Sequence, residues 1–546
     1  MGLNIADLFE SVADAVPLRL ALVERQTRLT YAELDERANR LAHELIRRGV
    51  APGAFVGMLA RNRIEWLEVM LGCFKARAVP VNLNYRYVAP ELRYVAENAD
   101  LEVLVYEQSF DELVTESCSG LSCWDNRLVL ADSSPWSPLS YEEALGAVSS
   151  SREGLPQRSG DDRYVLYTGG TTGMPKGVLW RHEDFFLGPL GGAARRGGSV
   201  EGATDLARRV PDEAARQVVL VVPPLMHGTG QWSSLSAFLS GGTVVLYSDE
   251  RFEPAAVWEY VERERITTLV IVGDVMGRPL ADALTSGARS YDMSSLTVLI
   301  SSGAPLTDGV RDELLAKLHG IRILNRLGSS ESGTVGVADG RVRGRSDSRA
   351  GLFKVSEETA VLDADLRPVG PGSQTVGKLA RRGHIPIGYH KDPEGTLATF
   401  VVDPNGTRWV LPGDFASVLD DGIIIMLGRG STTINSGGEK IFPHEVEAAL
   451  KSHPDVSSAI VVGIPDERFG EVVAALVQPR EGCAPTTEEL REHCRAQVAG
   501  YKIPKVVGMV ERIPLTAVGK PDHLAARKFL IASPPTEPHS IRHGRL

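Results

Sequence analysis

The chain has 546 residues, a hydrophobic fraction of 43% and a formal net charge of −11, so it is long enough for several domains and lacks the basic surplus that a nucleic-acid partner demands. No apolar run approaches the roughly 18 residues that cross a bilayer, and no integral membrane contact is expected. Five cysteines, at 73, 118, 123, 483 and 494, show no paired zinc spacing, and no histidine pair has partner ligands at metal-site spacing, which argues against a tight transition-metal site. Met1 to Ala15 carries Asp7, Glu10 and Asp14 and no basic start, and Ala6 stands where myristoylation wants Ser or Thr, so a cytoplasmic location is expected.

In chain order, residues 31–48 place apolar side chains at helical spacing, and Gly49 follows as a stop, which predicts a helix. Short apolar runs then recur at 55–59, 103–106, 127–130, 218–222, 243–247, 268–272 and 298–301, with helical stretches between them. This alternation predicts an α/β chain, with a large N-terminal domain of mixed and parallel sheets covered by helices. Residues 149–162 are polar and break the pattern before a further apolar strand at 163–166. The strongest boundary candidate is 428–435, where the strand 423–427 runs into GRGSTTIN. Beyond it, a helix over 443–452, strands over 459–462 and 472–478, and a helix over 487–498 make a small α+β unit of ordinary domain size. The expected domains are therefore 1–429 and 430–532, followed by a tail, 533–546, that has little to bury and is expected to be flexible.

The run YTGGTTGMPKGV, from Tyr167 to Val178, concentrates the chemistry. Gly169, Gly170 and Gly173 free the backbone to bring N–H groups close to an anion, Thr168, Thr171 and Thr172 add hydroxyls, and Lys176 adds a mobile positive charge. The spacing is not that of a P-loop, which needs Lys and Ser/Thr directly after its second glycine. Glycines alone would be compatible with a surface turn. The full string is similar to the phosphate-binding loop of the adenylate-forming superfamily of acyl-CoA synthetases, peptide-synthetase adenylation domains and luciferases. Further matches occur in the expected order from about Thr30 to Lys520, nearly the whole chain.

The resemblance implies that fold, with a mobile C-terminal domain, and a set of roles. Gly328-Ser329-Ser330-Glu331 resembles the motif whose hydroxyl contacts the α-phosphate and whose glutamate helps to hold Mg²⁺; one carboxylate plus phosphates suits that ion's octahedral preference. Ser302-Gly303-Ala304-Pro305 resembles the strand end that lines adenine, with Leu327 at the position that is aromatic in many relatives. Asp414, in LPGD, and Arg429, in GRGS, resemble the ribose-binding pair, and Ser431 stands at the hinge. Lys520, in AVGKPD, resembles the lysine that bridges carboxylate and α-phosphate during adenylation. Gly437, Gly438 and Lys440, in SGGEK, resemble the loop that lines the pantetheine tunnel in the second half-reaction, and His227, in PPLMHGTG, the position beside the acyl carboxylate. Taken singly, Glu331 reads equally as a surface acid, Asp414 as a turn residue and Lys520 as a solvated lysine.

The implied cofactors are ATP or AMP, or a supplied acyl-adenylate, together with Mg²⁺ and coenzyme A, whose thiol is itself the nucleophile. Three longer stretches, around Tyr167, around Gly388 and around Gly438, resemble a narrower actinobacterial group of ligases for steroid side-chain and diterpenoid acids. Gly273, Val275, Met276 and Gly277, with Trp232 as a wall, would leave an apolar pocket for rings, although ordinary core explains them as well. The expected activity is an acid–CoA ligase for a bulky carboxylic acid. Leu327 and Ser431 depart from the family pattern and keep open a thioesterification-only ligase fed by a separate adenylating enzyme. An enzyme loading a carrier protein and a non-catalytic ligand-binding scaffold are compatible with the sequence too, and the oligomeric state is open, a homodimer included.

Overall fold

The computed structural model describes the chain except residues 1, 132–139, 169–173, 196, 286–288, 340–351, 374, 430, 431, 433, 437, 438, 467, 468, 499, 517–519 and 533–546, and except the side chains of Arg429, Asn435, Glu439 and Lys440. The expected helix forms as Tyr31–Arg47: Thr30 and Glu33 close a capping box at its start, its apolar stripe of Leu34, Ala38, Leu41 and Leu45 is buried, and Gly49 takes φ +84° just beyond its end. The runs VVLV, TVVL, TLVI and VLISS become neighbouring parallel strands, Val218–Val221, Thr243–Leu246, Thr268–Ile271 and Val298–Ser302. They read as continuous apolar runs because both faces of a parallel sheet are covered. Arg322–Ser329 continues the sheet in parallel, and Gly333–Asp339 reverses it. A second parallel sheet joins Val79–Asn82, Phe55–Leu59, Leu101–Glu107 and Arg127–Leu130, and a three-stranded sheet joins Gly388–Tyr389, Lys176–Arg181 and Arg163–Thr168.

The antiparallel strands between 352 and 429 include Ile424–Arg429, which the apolar run 423–427 anticipates, and Gly377–Arg381, Arg408–Val410 and Asp414–Val418, which have no counterpart in the sequence reading. These strands are short, half-polar and separated by Asp- and Gly-rich turns, so their period-2 signal is weak. From residue 434 onward the chain builds a separate five-stranded sheet. Its central hairpin, Val456–Asp466 with Gly470–Pro479, is longer than the expected strands, because ladder pairing continues through polar residues at both ends. The helix Thr487–Arg495 is shorter than expected and ends before Gln497 and Val498. Arg480 of this part meets Glu313 of the larger part, Nη2 to Oε1 3.3 Å. Among the described residues no helix is long and apolar enough to cross a membrane.

The helices Ile5–Ala15, Tyr31–Arg47 and Ile64–Ala76 pack around an ionic knot. Lys75 is 0% exposed and its Nζ lies 2.5 Å from Glu10 Oε1 and 2.7 Å from Asp35 Oδ1. Arg158 reinforces Glu10 and Arg152 reinforces Asp35, at 2.7 and 2.8 Å. Burial alone would raise the Glu10 pKa, but the hydrogen bonds and charges of Arg158 and Lys75 outweigh it and hold the carboxyl below its ordinary 4.5. That stabilisation is present above the unfolded value and is lost as pH falls through the lower folded one. Lys75→Met leaves two buried carboxylates short of a partner and should cost about 3–5 kcal/mol in urea denaturation; a loss below about 1 kcal/mol would mean that water reaches them.

Candidate active site

Three amide side chains set the geometry. Asn82, at the end of its strand, donates to the carbonyls of Tyr167 and Met226 at 2.8 Å each and accepts from the Tyr167 N–H at 2.7 Å. It thus joins the strand that leads into the phosphate-type loop to the segment that carries His227. Asn62 accepts from Leu225 N at 2.7 Å and donates to the Pro223 and Tyr247 carbonyls, and Gln231 donates to Leu225 O at 2.8 Å while accepting from Tyr164 Oη at 2.7 Å. The backbone of 222–227 is irregular and buried, and these amides satisfy it.

His227 caps the helix Gly228–Phe238, and its Nε2 is buried without a hydrogen-bond partner among the described residues. Burial first, then the nearby charges of Lys520 and Arg86, lower its pKa to about 4. The imidazole is therefore neutral at physiological pH, and Lys520, from the C-terminal part, lies close enough to act on it. Lys520 is tied back to Thr516, whose Oγ1 accepts its N–H at 3.2 Å and whose N–H is accepted by its carbonyl at 2.7 Å. Trp232, one turn into the helix, donates to Tyr164 Oη at 3.1 Å and packs against Trp180 and Phe185.

Thr168 and Lys176 are cross-strand partners at the mouth of the hairpin, while Gly169, Gly170, Thr171, Thr172 and Gly173 lie outside the described residues. Lys176 Nζ is 2.7 Å from Asp392 Oδ2 and 5.1 Å from the centre of the Tyr389 ring. The hydrogen bond from Lys176 holds Asp392 below the ordinary carboxylate value. Tyr389 Oη donates to Glu331 Oε1 at 3.0 Å. Glu331 is presented by a turn in which Ser329 Oγ accepts the N–H groups of Glu331 and Ser332, and the Ser330 carbonyl takes the Trp180 indole N–H at 3.1 Å. Gly328 permits the bulge before that turn, since a Cβ there would sit 2.1 Å from Gly333 O. Tyr389 and Asp392 were not singled out from sequence; the only signal for them is their place in the GYHKDP stretch.

On the nucleotide side, the strand Val298–Ser302 runs into Gly303 at φ +84°, with Ala304 and Pro305 following. Asp414 and Arg429 stand directly opposite each other on paired strands. Leu327 packs into the cluster of Val335, Phe353 and Met426. Ser431, Gly437 and Gly438 lie outside the described residues, and Lys440 is described in its backbone alone. The expected ring pocket at 273–277 takes another form. Gly273 has φ +46° and a Cβ there would lie 2.4 Å from Pro305 O, Gly277 fits against Leu306 and Val310, Met276 joins the core and Val275 is exposed. These residues dock a helix onto the 303–306 segment. A cavity of about 640 Å³ beside Tyr106, Trp124 and Arg127 is separate from all of these residues.

Because the folded His227 value lies below the ordinary 6.5, acidification from there towards 4 protonates the unfolded state first and costs stability. With ¹³C-labelled histidine and His227→Gln for assignment, the His227 ring should titrate near pH 4, and Lys520→Ala should move the midpoint up. An unmoved midpoint would place Lys520 away from His227.

Residues 9–389 match the AMP-binding enzyme family, and residues 445–520 match the AMP-binding enzyme C-terminal domain. The chain is 43% identical to a 3-oxocholest-4-en-26-oate–CoA ligase from Rhodococcus rhodochrous, over 96% of each chain. It is also 43% identical to a medium/long-chain-fatty-acid–CoA/3-oxocholest-4-en-26-oate–CoA ligase from Mycolicibacterium smegmatis, over 99% of this chain and 98% of that one. Its fold is similar to that of ATP-bound MatB from Rhodopseudomonas palustris, with a TM-score of 0.80 at 24% identity over 97% of this chain and 99% of that one. Matched from its first helix to Lys520, the chain belongs to the AMP-binding enzyme family, among its acyl-CoA ligases.

Proposed function

We propose that the protein activates a bulky, largely apolar carboxylic acid of steroid or diterpenoid type in two steps, adenylation by ATP and transfer to coenzyme A, and that it does so in the cytoplasm. The observation that carries this reading is that the charge of Lys520, from the C-terminal part, is felt at buried His227 in the N-terminal part, as a lysine acting on the bound acid requires. The substrate class is supported by the relatives named for a cholestenoate acid.

In the first step a carboxylate oxygen attacks the α-phosphorus and pyrophosphate leaves. Thr168, Lys176 and the loop 169–173 bind the phosphates, Ser330 faces the α-phosphate, the segment Ser302–Pro305 borders adenine, and Asp414 with Arg429 takes the ribose. Neutral His227 lies beside the carboxylate without competing for it as an anion would, and Lys520 neutralises the charge that develops on the α-phosphate. Glu331 would hold Mg²⁺ through the carboxylate oxygen that Tyr389 leaves, with phosphate oxygens as the ion's further ligands. When bound, the ion neutralises phosphate charge. In the second step the small domain, residues 430–532, rotates about Ser431 and brings Gly437, Gly438 and Lys440 to the pantetheine path; the CoA sulfur attacks the acyl carbon and AMP leaves.

Leu327 favours one runner-up. Partly buried against an apolar cluster, it gives adenine no aromatic face to stack on, which suits an enzyme that takes its adenylate from a partner. Thioester formation from acid, ATP and CoA, compared with formation from the synthetic acyl-adenylate and CoA, separates the two: product from both is expected, and product from the adenylate alone would overturn the adenylating half of the reading. Lys520→Ala should depress the first assay far more than the second, and Gly437→Trp the second at least as strongly as the first; equal losses for Lys520→Ala would remove it from adenylation. Tyr389→Phe takes a hydrogen bond from a charged group, worth about 1.5–3 kcal/mol, and should raise the Mg²⁺ concentration for half-activation roughly 10-fold or more with thioesterification from supplied adenylate little changed.

A further inference from the structure

The strand Arg322–Ser329 carries a cation on the acyl side of the site. Ile323 points into the cluster formed with Leu299, Ile271 and Leu314, so by strand alternation Leu324 and Arg326 point to the opposite face. Ser302 and Val337 are in register with Arg326 on the two neighbouring strands and share that face. It is the face on which Ile300, Val270 and Val221 pack with Trp180, Phe185 and Trp232. Immediately beyond Ser302, a Cβ on Gly303 would lie 3.2 Å from Thr229 Oγ1, and a Cβ on Gly333 would lie 3.0 Å from Pro189 Cγ. Arg326 therefore stands on the floor between the helix that bears His227 and Trp232 and the chain around Pro189.

Among the described residues Arg326 has no ion pair and no hydrogen bond from its guanidinium, and burial lowers its pKa with no carboxylate to offset it. Arg158 and Arg48, also withdrawn from solvent, are held by carboxylates, Glu10 with Asp7 and Glu44 respectively, and Arg195 donates to Ser240 Oγ at 2.8 Å, whereas half-buried Arg326 has neither kind of partner among the described residues. A guanidinium withdrawn from water is costly unless an acceptor meets it, and its planar fork matches a carbonyl or carboxylate oxygen.

We propose that Arg326 is a specificity-determining residue of the acyl site, which reads an oxygen acceptor carried by the acid away from its reacting carboxylate. This rests on the ligase reading for the identity of the bound acid. The acceptor is a ring ketone or a second carboxylate, and an acid that is hydrocarbon throughout leaves the guanidinium unmatched.

Calorimetric binding to the full chain, without ATP or CoA, tests this with two pairs of acids: a polycyclic acid with a ring ketone against the same skeleton without it, and a long-chain α,ω-dicarboxylate against the monocarboxylate of equal length. The wild type should bind the oxygenated member of one pair about 10-fold more tightly or better, and that pair identifies the acceptor. Arg326→Met should abolish the preference while leaving the affinity for the plain acid within about 3-fold, and Arg326→Lys should restore part of it. The proposal is overturned by a wild type indifferent within both pairs, by a preference that survives Arg326→Met, or by equal weakening of all four acids, which would put Arg326 at the reacting carboxylate or in the fold. Turnover of the same acids is scored separately: binding preference without thioester product would defeat the ligase reading and leave the role of Arg326 standing.

Discussion

The amide of Asn82 is the contact on which the rest of the site depends. One oxygen and one NH₂ group meet the backbone of two segments that no secondary structure connects, the end of the strand before the phosphate-type loop and the segment before His227. The strand Arg163–Thr168 is the described part of the chain that leads into that loop. Asn82 makes that strand and the acyl-side histidine parts of one object. With Asn62 and Gln231 it also satisfies backbone groups on the open edge of an antiparallel strand, at Tyr167, and in the irregular segment 223–226 beyond a parallel one.

Charge in the site is arranged in short pairs. Lys176 is held by Asp392 and sits over Tyr389, and Tyr389 in turn holds Glu331. The cation on the phosphate side and the carboxylate on the metal side are thus spaced by a single phenol. In the proposed reaction an arriving polyphosphate would compete with Asp392 for Lys176, and because Lys176 is about half exposed that pair is screened and weak. The lysine is kept in place at little energetic cost to the exchange.

What could be read from sequence was what is contiguous. The glycine–threonine loop, Gly328 to Glu331 and the helix at 31–48 are local patterns, and the parallel strands announce themselves as unbroken apolar runs. The pairing of Asp414 with Arg429 was legible only through a family resemblance, since nothing local says that the two strands adjoin. Asn82, Asn62, Gln231, Tyr389 and Asp392 were missed because each works at long range: Asn82 meets partners 85 and 144 positions away, and an asparagine at a strand end has no periodic signature. Gly273 and Gly277 show the converse limit. A glycine marks a place where something comes close, and sequence does not tell whether the visitor is a ligand or the protein's own backbone, as Pro305 O is here.

Arg429 is the last residue of its strand, directly opposite Asp414, and the next regular segment, Ile434–Ser436, already belongs to the separate C-terminal sheet. The residue assigned to the ribose is therefore also the first link of the tether between two bodies. In the proposed reaction, a filled sugar site and a movement of the C-terminal sheet would therefore load the same residue.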